Sequence, residues 1–221
     1  MSADNKSDLQ IVWHQVTVSE RFSSVLYPLD FLELLRQIPT IGYVVPELVQ
    51  RGTIEAGKPI ATKGDVELII NTDNKTIGIK GRDPKSAVMS FEELRQFYLE
   101  RLDTSPGLTT QYVEFNGAGW AKSEKDPTEI CTQFWANYAP LRDLGRILQA
   151  DITNFGMQLV PSNKDPNDPE WFHIYIEPLI VSSRRRYRIT WIQRGPHLEQ
   201  LLTQFSKVDD SLKRLISKIE G

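Results

Sequence analysis

The chain has 221 residues, room for one large domain or two small ones, and its 40% hydrophobic and 25% charged content is that of a globular protein, not a disordered one. A net charge of −3 excludes any general attraction to phosphate backbones or anionic membranes, so a nucleic-acid site would have to be a local patch. The polar start MSADNKSDLQ is unlike a signal peptide, no apolar run approaches the ~20 residues that span a bilayer, and Cys131 is the only cysteine; together these lead us to expect a cytoplasmic protein with no structural disulfide and no membrane association.

Residues 1–8 read as a loose tail. Residues 9–18 (LQIVWHQVTV) alternate apolar and polar positions and predict a strand. After Tyr27-Pro28, the residues Phe31, Leu32, Leu34, Leu35 and Ile38 recur at helical spacing, and Pro39 stops the helix. IGYVVPELVQ (41–50) reads as an edge strand broken at Pro46, and 51–65 as a glycine-containing loop. VELIINTDNKTIGIKG is a hairpin turning at Asp73-Asn74. Ser90 and Glu93 have capping-box spacing and predict a helix starting at Ser90. DTSPGLT (103–109) is the best boundary candidate.

The second stretch runs through the same kinds of element. Residues 110–121 predict a strand, 127–149 a helix kinked or split at Pro140, and 151–160 (DITNFGMQLV) a strand. PSNKDPNDPE reads as a loop. WFHIYIEPLI and RYRITWIQR then read as two strands around Ser182-Ser183-Arg184, followed by a helix from near Pro196 to the C-terminus. Both stretches therefore read strand, helix, strand, loop, hairpin, helix, without residue-level identity. The expected fold is α+β, with antiparallel sheet and helices on one face. It divides into two βαβββα halves, 9–103 and 110–221, related by duplication or forming one continuous domain.

The most regular pattern lies in the final helix. Leu198, Leu201, Phe205, Val208, Leu212, Leu215 and Ile219 are spaced 3, 4, 3, 4, 3, 4, an uninterrupted heptad seam widened by Leu202 and Ile216. A solitary helix of this length is marginal in water, so the seam must dock, on the chain's own sheet or on a second copy.

Chemistry-bearing residues gather on one predicted sheet face. Alternation points Trp171, His173, Tyr175 and Glu177 away from Phe172, Ile174 and Ile176. If Arg188, Thr190 and Ile192 share that outer face, Arg186 and Arg188 join it, with Asn154 and Gln158 adding polar groups from the preceding strand. Arg184, Arg185, Arg186 and Arg188 form the only basic cluster, suited to gripping a phosphate or a carboxylate partner. Aromatics with arginines on an open sheet suit base stacking or a protein partner; a solvated face of mixed composition is the plain alternative.

Catalytic and metal signatures are absent from the sequence. His14, His173 and His197 form no metal-spaced pair, and Cys131 has no cysteine neighbour, so we expect no metal and no cofactor. Asp165, Asn167, Asp168 and Glu170 crowd a loop that lacks the spacing of a calcium loop and reads as a polar turn. Gly117 and Gly119 do not make a dinucleotide fingerprint, and there is no phosphate-cradling lysine motif or nucleophile-elbow serine.

From Asp151 onward, DITNFGMQLV, FHIYIEPLI, YRITWIQR and the closing LKRLISKIEG resemble the end of a sporadically distributed, uncharacterised family of prokaryotic proteins of about this length. That resemblance implies no activity and no site residues. The doubled α+β layout is also similar to that of TATA-box-binding proteins, which curve a sheet over DNA, although the acidic balance departs from theirs. The leading expectation is a non-enzymatic interaction protein, a homodimer that binds a protein partner through its open sheet face or its final helix. The alternatives are a nucleic-acid-binding module using the Arg184–Arg188 hairpin with the aromatic face, and an enzyme with a site between the halves.

Overall fold

The computed structural model describes residues 9–24, 26–50, 59–102, 108–179 and 185–221. The chain runs β1 (Gln10–Phe22), α1 (Phe31–Gln37) with a 3-10 turn (Ile38–Ile41), α2 (Glu47–Gln50), β2 (Ala61–Lys63), β3 (Val66–Asn71), β4 (Thr76–Gly81) and α3 (Pro84–Arg101). It continues through β5 (Thr110–Lys122), α4 (Pro127–Trp135), α5 (Ala139–Leu148), β6 (Met157–Leu159), β7 (Phe172–Pro178), β8 (Arg186–Gly195), α6 (Leu198–Phe205) and α7 (Val208–Ile219).

All eight strands belong to one antiparallel sheet of order β2-β3-β4-β1-β5-β8-β7-β6. The long strands β1 and β5 pair at its centre. From that pair outward the first half runs β1, β4, β3, β2 and the second β5, β8, β7, β6, so the two halves repeat one strand order. They share a single sheet and a single core. The 103–109 boundary candidate falls largely on 103–107, outside the described residues.

Alternation divides each strand between two faces. Val16, Val18 and Phe22 of β1, Leu68 of β3, Ile77 and Ile79 of β4, Val113 and Phe115 of β5, Ile176 of β7, and Tyr187 and Ile189 of β8 are buried toward the helices. The helices answer with Leu34, Phe91, Leu94, Phe205, Leu212 and Ile216. Phe205 of α6 lies 5.0 Å from Phe115 between ring centroids. A β-bulge between Trp13 and Gln15 leaves His14 exposed and sends Trp13 to the helix side, where its Nε1 donates to Asp209 Oδ1 of α7 at 2.7 Å. Gly117 makes the room: a Cβ there would sit 2.6 Å from the Trp13 ring.

Five expected elements differ, the first being the 51–65 loop, whose end forms strand β2 on β3. The edge strand at 41–50 is absent: only Val44 bridges to Thr62, and the chain past Pro46 turns into α2. The helix placed at Ser90 begins six residues earlier, with Asp83 as the cap accepting from Ser86 N at 2.7 Å and Pro84 in the first turn. Ser90 is interior, and Glu93 pairs with Lys63 at 2.6 Å instead of closing a capping box. The strand at 151–160 shrinks to Met157–Leu159; continuing its register past Gly156, opposite Glu177, would set Phe155 opposite Pro178, which has no N–H to donate. The long final helix is two helices. Ser206 Oγ turns back to the Thr203 carbonyl at 2.9 Å and Lys207 leaves helical geometry (ψ 14°), so the axis breaks between α6 and α7.

The predicted seam survives that break. Leu201, Phe205, Val208, Leu212 and Ile219 are buried, with Leu198 and Leu215 half-buried, all against this chain's own core. Docking on the chain's own sheet is the outcome, and the seam is not open for a second copy.

Candidate functional site: the open sheet face

The helices pack on one side of the sheet. The other side gathers the outward residues of β5, β7 and β8. Register sets their neighbours: Trp120 lies beside Arg188, Lys122 beside Arg186 and Glu114 beside Arg194. Across the next pairing, His173 faces Ile192, Tyr175 faces Thr190 and Glu177 faces Arg188.

Trp171, His173 and Tyr175 form a ladder along β7, with centroid spacings of 5.8 and 6.5 Å and tilts of 41° and 34°. Tyr175 donates to Glu177, and that hydrogen bond, with partial burial and the Glu177 charge, raises its pKa against the opposing pull of Arg188. Arg188 reaches Glu177 at 3.3 Å. The Arg186 guanidinium lies 4.1 Å over the Trp120 ring. Arg194 sits between Tyr112 (4.7 Å) and Trp171 (5.4 Å), with Nε 2.5 Å from Glu114, and donates to the Pro166 carbonyl of the 160–170 loop. Arg21 of β1 extends the row, donating to Tyr112 Oη at 3.1 Å.

The expected face is therefore present in geometry: Trp171, His173, Tyr175, Arg186 and Arg188 share one side of the sheet. Gln158 joins it opposite Tyr175, whereas Asn154 lies outside any strand. The four-arginine cluster does not hold together. Arg184 lies outside the described residues. Arg185 is exposed on another side, in a groove of about 510 Å³ that it shares with Glu124, Asp126 and Glu129 at the start of α4. Sequence reasoning missed Trp120, Tyr112, Glu114, Arg194 and Arg21. Alternation along TQYVEFNGAGWAK was readable, but only the β5–β8 and β1–β5 registers bring those positions beside the ladder.

Charge and stacking on this face are largely consumed internally. Glu114 and Glu177 pair with Arg194 and Arg188. Guanidinium groups approach the rings of Trp120, Tyr112 and Trp171. What remains is a rigid mosaic of aromatic and arginine side chains around a floor of small residues such as Ala118 and Thr190.

Elsewhere the polar chemistry is structural. Glu20 is buried among Arg95 (3.1 Å), Tyr98 and Thr110, which tie β1 to α3 and β5. Burial raises the pKa of Tyr27, Tyr43, Tyr98 and Tyr187 and so holds their hydroxyls protonated, with Glu20 adding to the effect at Tyr98. Burial likewise pushes the Cys131 thiol up. Among the described residues no group of three or more His, Cys, Asp and Glu is placed to hold a metal ion. In the 160–170 loop, Asp165 and Asp168 accept from the backbone N–H groups of Asn167 and Glu170, forming a polar turn.

The fold and face together define an open-faced, eight-stranded antiparallel α+β protein with an aromatic–arginine surface. No family model, no curated protein and no solved structure significantly matches this chain. No helix among the described residues is long and apolar enough to cross a membrane.

Proposed function

We propose that the protein is a non-enzymatic interaction module of the cytoplasm, whose open sheet face around Trp120, Trp171, His173, Tyr175 and Arg186 binds a protein partner. The observation that carries this reading is the preorganised packing of tryptophan, tyrosine and arginine on one uncovered sheet face. Such residues dominate binding energy at protein interfaces, and rotamers fixed in advance reduce the ordering cost of association. We also propose that the two halves arose by duplication, supported by their common strand order about the β1–β5 pair.

The test is affinity capture from native lysate with the wild type and with Trp171→Ala/Arg186→Ala, both checked for folding by circular dichroism. A protein retained by the wild type and lost from the variant is expected. Identical capture by both would overturn the sheet-face reading.

The nucleic-acid reading keeps one observation in its favour: Arg21 and Arg186 contact aromatic rings but no carboxylate among the described residues. Against it, the guanidinium contacts occupy ring surface that bases would stack on. Titration of a labelled single-stranded oligonucleotide at low salt separates the two readings. Binding that weakens steeply with salt and is lost in Arg186→Ala/Arg188→Ala would favour nucleic acid.

A further inference from the structure

On the outer face of the sheet the carboxylates are paired and the surplus charge is cationic. Glu67 pairs with Lys80, Glu114 with Arg194 and Glu177 with Arg188. The remaining strand carboxylate, Glu20, is buried on the helix side with Arg95. Left over are Arg21 of β1, Lys122 of β5 and Arg186 of β8, which form no ion pair among the described residues. Arg21 and Arg186 lie against aromatic rings, Tyr112 at 5.8 Å and Trp120 at 4.1 Å, so their guanidinium groups are held in place without being neutralised. The chain as a whole has a net charge of −3, so this face opposes the overall balance.

Register places the three cations at two ends of one path. Arg21 lies opposite Tyr112, near the start of β5, and Arg186 lies opposite Lys122, at its end. Extended strand from Tyr112 to Lys122 measures about 33 Å. Midway, Asn116 and Ala118 have Thr17 and Gln15 on one side and Ile192 and Thr190 on the other, and none of these is charged. The acidic 160–170 loop stands on the β7 side, tied to Arg194 through the Pro166 carbonyl, and its Asp165, Asp168 and Glu170 repel an anion there. The path open to a negatively charged partner therefore follows β5.

We propose that the partner of the sheet face is an acidic protein segment lying extended along β5, with carboxylates at one end on Arg21, carboxylates at the other on Arg186 and Lys122, and an uncharged middle over Asn116 and Ala118. The identification of that segment rests on the sheet-face reading. An extended segment of about ten residues reaches from one end to the other. Guanidinium groups match carboxylates in geometry as well as charge, and complementary charges at two separated points fix the register of the bound chain. A nucleic-acid strand fits the same ends poorly. It carries a phosphate at every nucleotide, and the neutral middle, with Glu114 beside it, would leave most of them unpaired.

Fluorescence anisotropy on the full chain at low salt tests this with two capped peptides of one composition, each about 12 residues long. In one, two glutamates stand at each end of an uncharged serine–leucine stretch. In the other, all the glutamates are central. The wild type should bind the two-ended peptide roughly tenfold more tightly. Arg21→Gln/Lys122→Gln, checked for folding by circular dichroism, should lose most of that preference, and Arg21→Lys/Lys122→Arg, which keeps the charges, should retain it. Equal affinity for the two peptides, a preference unchanged in Arg21→Gln/Lys122→Gln, or no binding up to about 1 mM would each overturn the proposal. Tighter binding of an oligothymidylate of the same length would also overturn it, in favour of nucleic acid. Capture from native lysate separates this failure from that of the sheet-face reading. A protein lost from Trp120→Ala but kept by Arg21→Gln/Lys122→Gln leaves the sheet face a protein-binding surface and overturns its acidic partner. Capture unaffected by either variant removes both.

Discussion

The two halves of the sheet follow one plan and differ in what they leave to solvent. In the first half the helical crossover is docked: Leu34 of α1 and Ile38 of the following turn are fully buried. In the second, the crossover holds α4, which buries Pro127 and Cys131, and α5, which buries nothing. The outer sheet face differs in the same direction. On the first half it carries Thr62, Glu67, Asn71, Thr76, Gly78 and Lys80, with a surface pair between Lys80 and Glu67 at 3.0 Å. On the second it carries the Trp171–His173–Tyr175 ladder, Trp120 and three arginines. One strand order thus carries two different outer faces, a polar one on the first half and an aromatic, arginine-rich one on the second.

The largest test of that division uses pH. Tyr27, Tyr43 and Tyr98 belong to the first half and Tyr187 to the second, and burial raises the pKa of all four above the ordinary value near 10. Above that pH the unfolded chain releases protons that the folded chain keeps. The unfolded state then binds fewer protons, and stability falls as pH rises. Urea unfolding should give a constant stability between about pH 7 and 9 and a steep decline beyond about pH 10. Among the described residues the hydroxyls of Tyr27 and Tyr43 have no hydrogen-bond partner, so Tyr27→Phe and Tyr43→Phe should reduce the slope without harm at neutral pH. A slope unchanged by both substitutions would leave Tyr98 and Tyr187 as the source of the alkaline loss.

Next in size is the docked seam. Phe205 is 1% exposed and packs on Phe115, so Phe205→Ala should cost about 3–5 kcal/mol. If α6 were instead held only by a second copy, the loss would depend on protein concentration, and denaturation at two concentrations distinguishes the two cases. Glu20→Ala should cost about 3 kcal/mol, because it removes the acceptor shared by Tyr98 and Thr110 and strips Arg95 of its counter-ion. Arg188→Ala removes an exposed surface pair of the second half and should change stability by less than about 1 kcal/mol. An equal loss from both would contradict the contrast between a buried ion-pair cluster and an exposed surface pair.

Local pattern made some of this legible. Alternation in FHIYIEP and RYRITWIQ placed the ladder and two arginines on one face, because a pleated strand leaves no other choice once its core side is known. The heptad run identified what α6 and α7 bury, although two polar residues, Ser206 and Lys207, divide it into two helices. Asp83-Pro84 was a readable helix start, but the capping-box spacing at Ser90 competed with it. What could not be read was register. Trp120 lies beside Arg188, and Arg194 between Tyr112 and Trp171, only because distant strands pair as they do. Those partners are fixed by the shared core, and no spacing along the chain encodes them.

The smallest expected effect separates the halves most sharply. Leu34 and Leu144 are both leucines of a crossover helix, one fully buried and the other 48% exposed. Leu34→Ala leaves a cavity in the core and should cost about 2–5 kcal/mol at any protein concentration. Leu144→Ala, measured at low micromolar concentration, should stay within about 0.5 kcal/mol of the wild type. A large loss from Leu144→Ala in dilute solution would mean that α5 is held by its own chain after all. The contrast between the two crossovers, one with Leu34 in the core and one with Leu144 in solvent, would then fail.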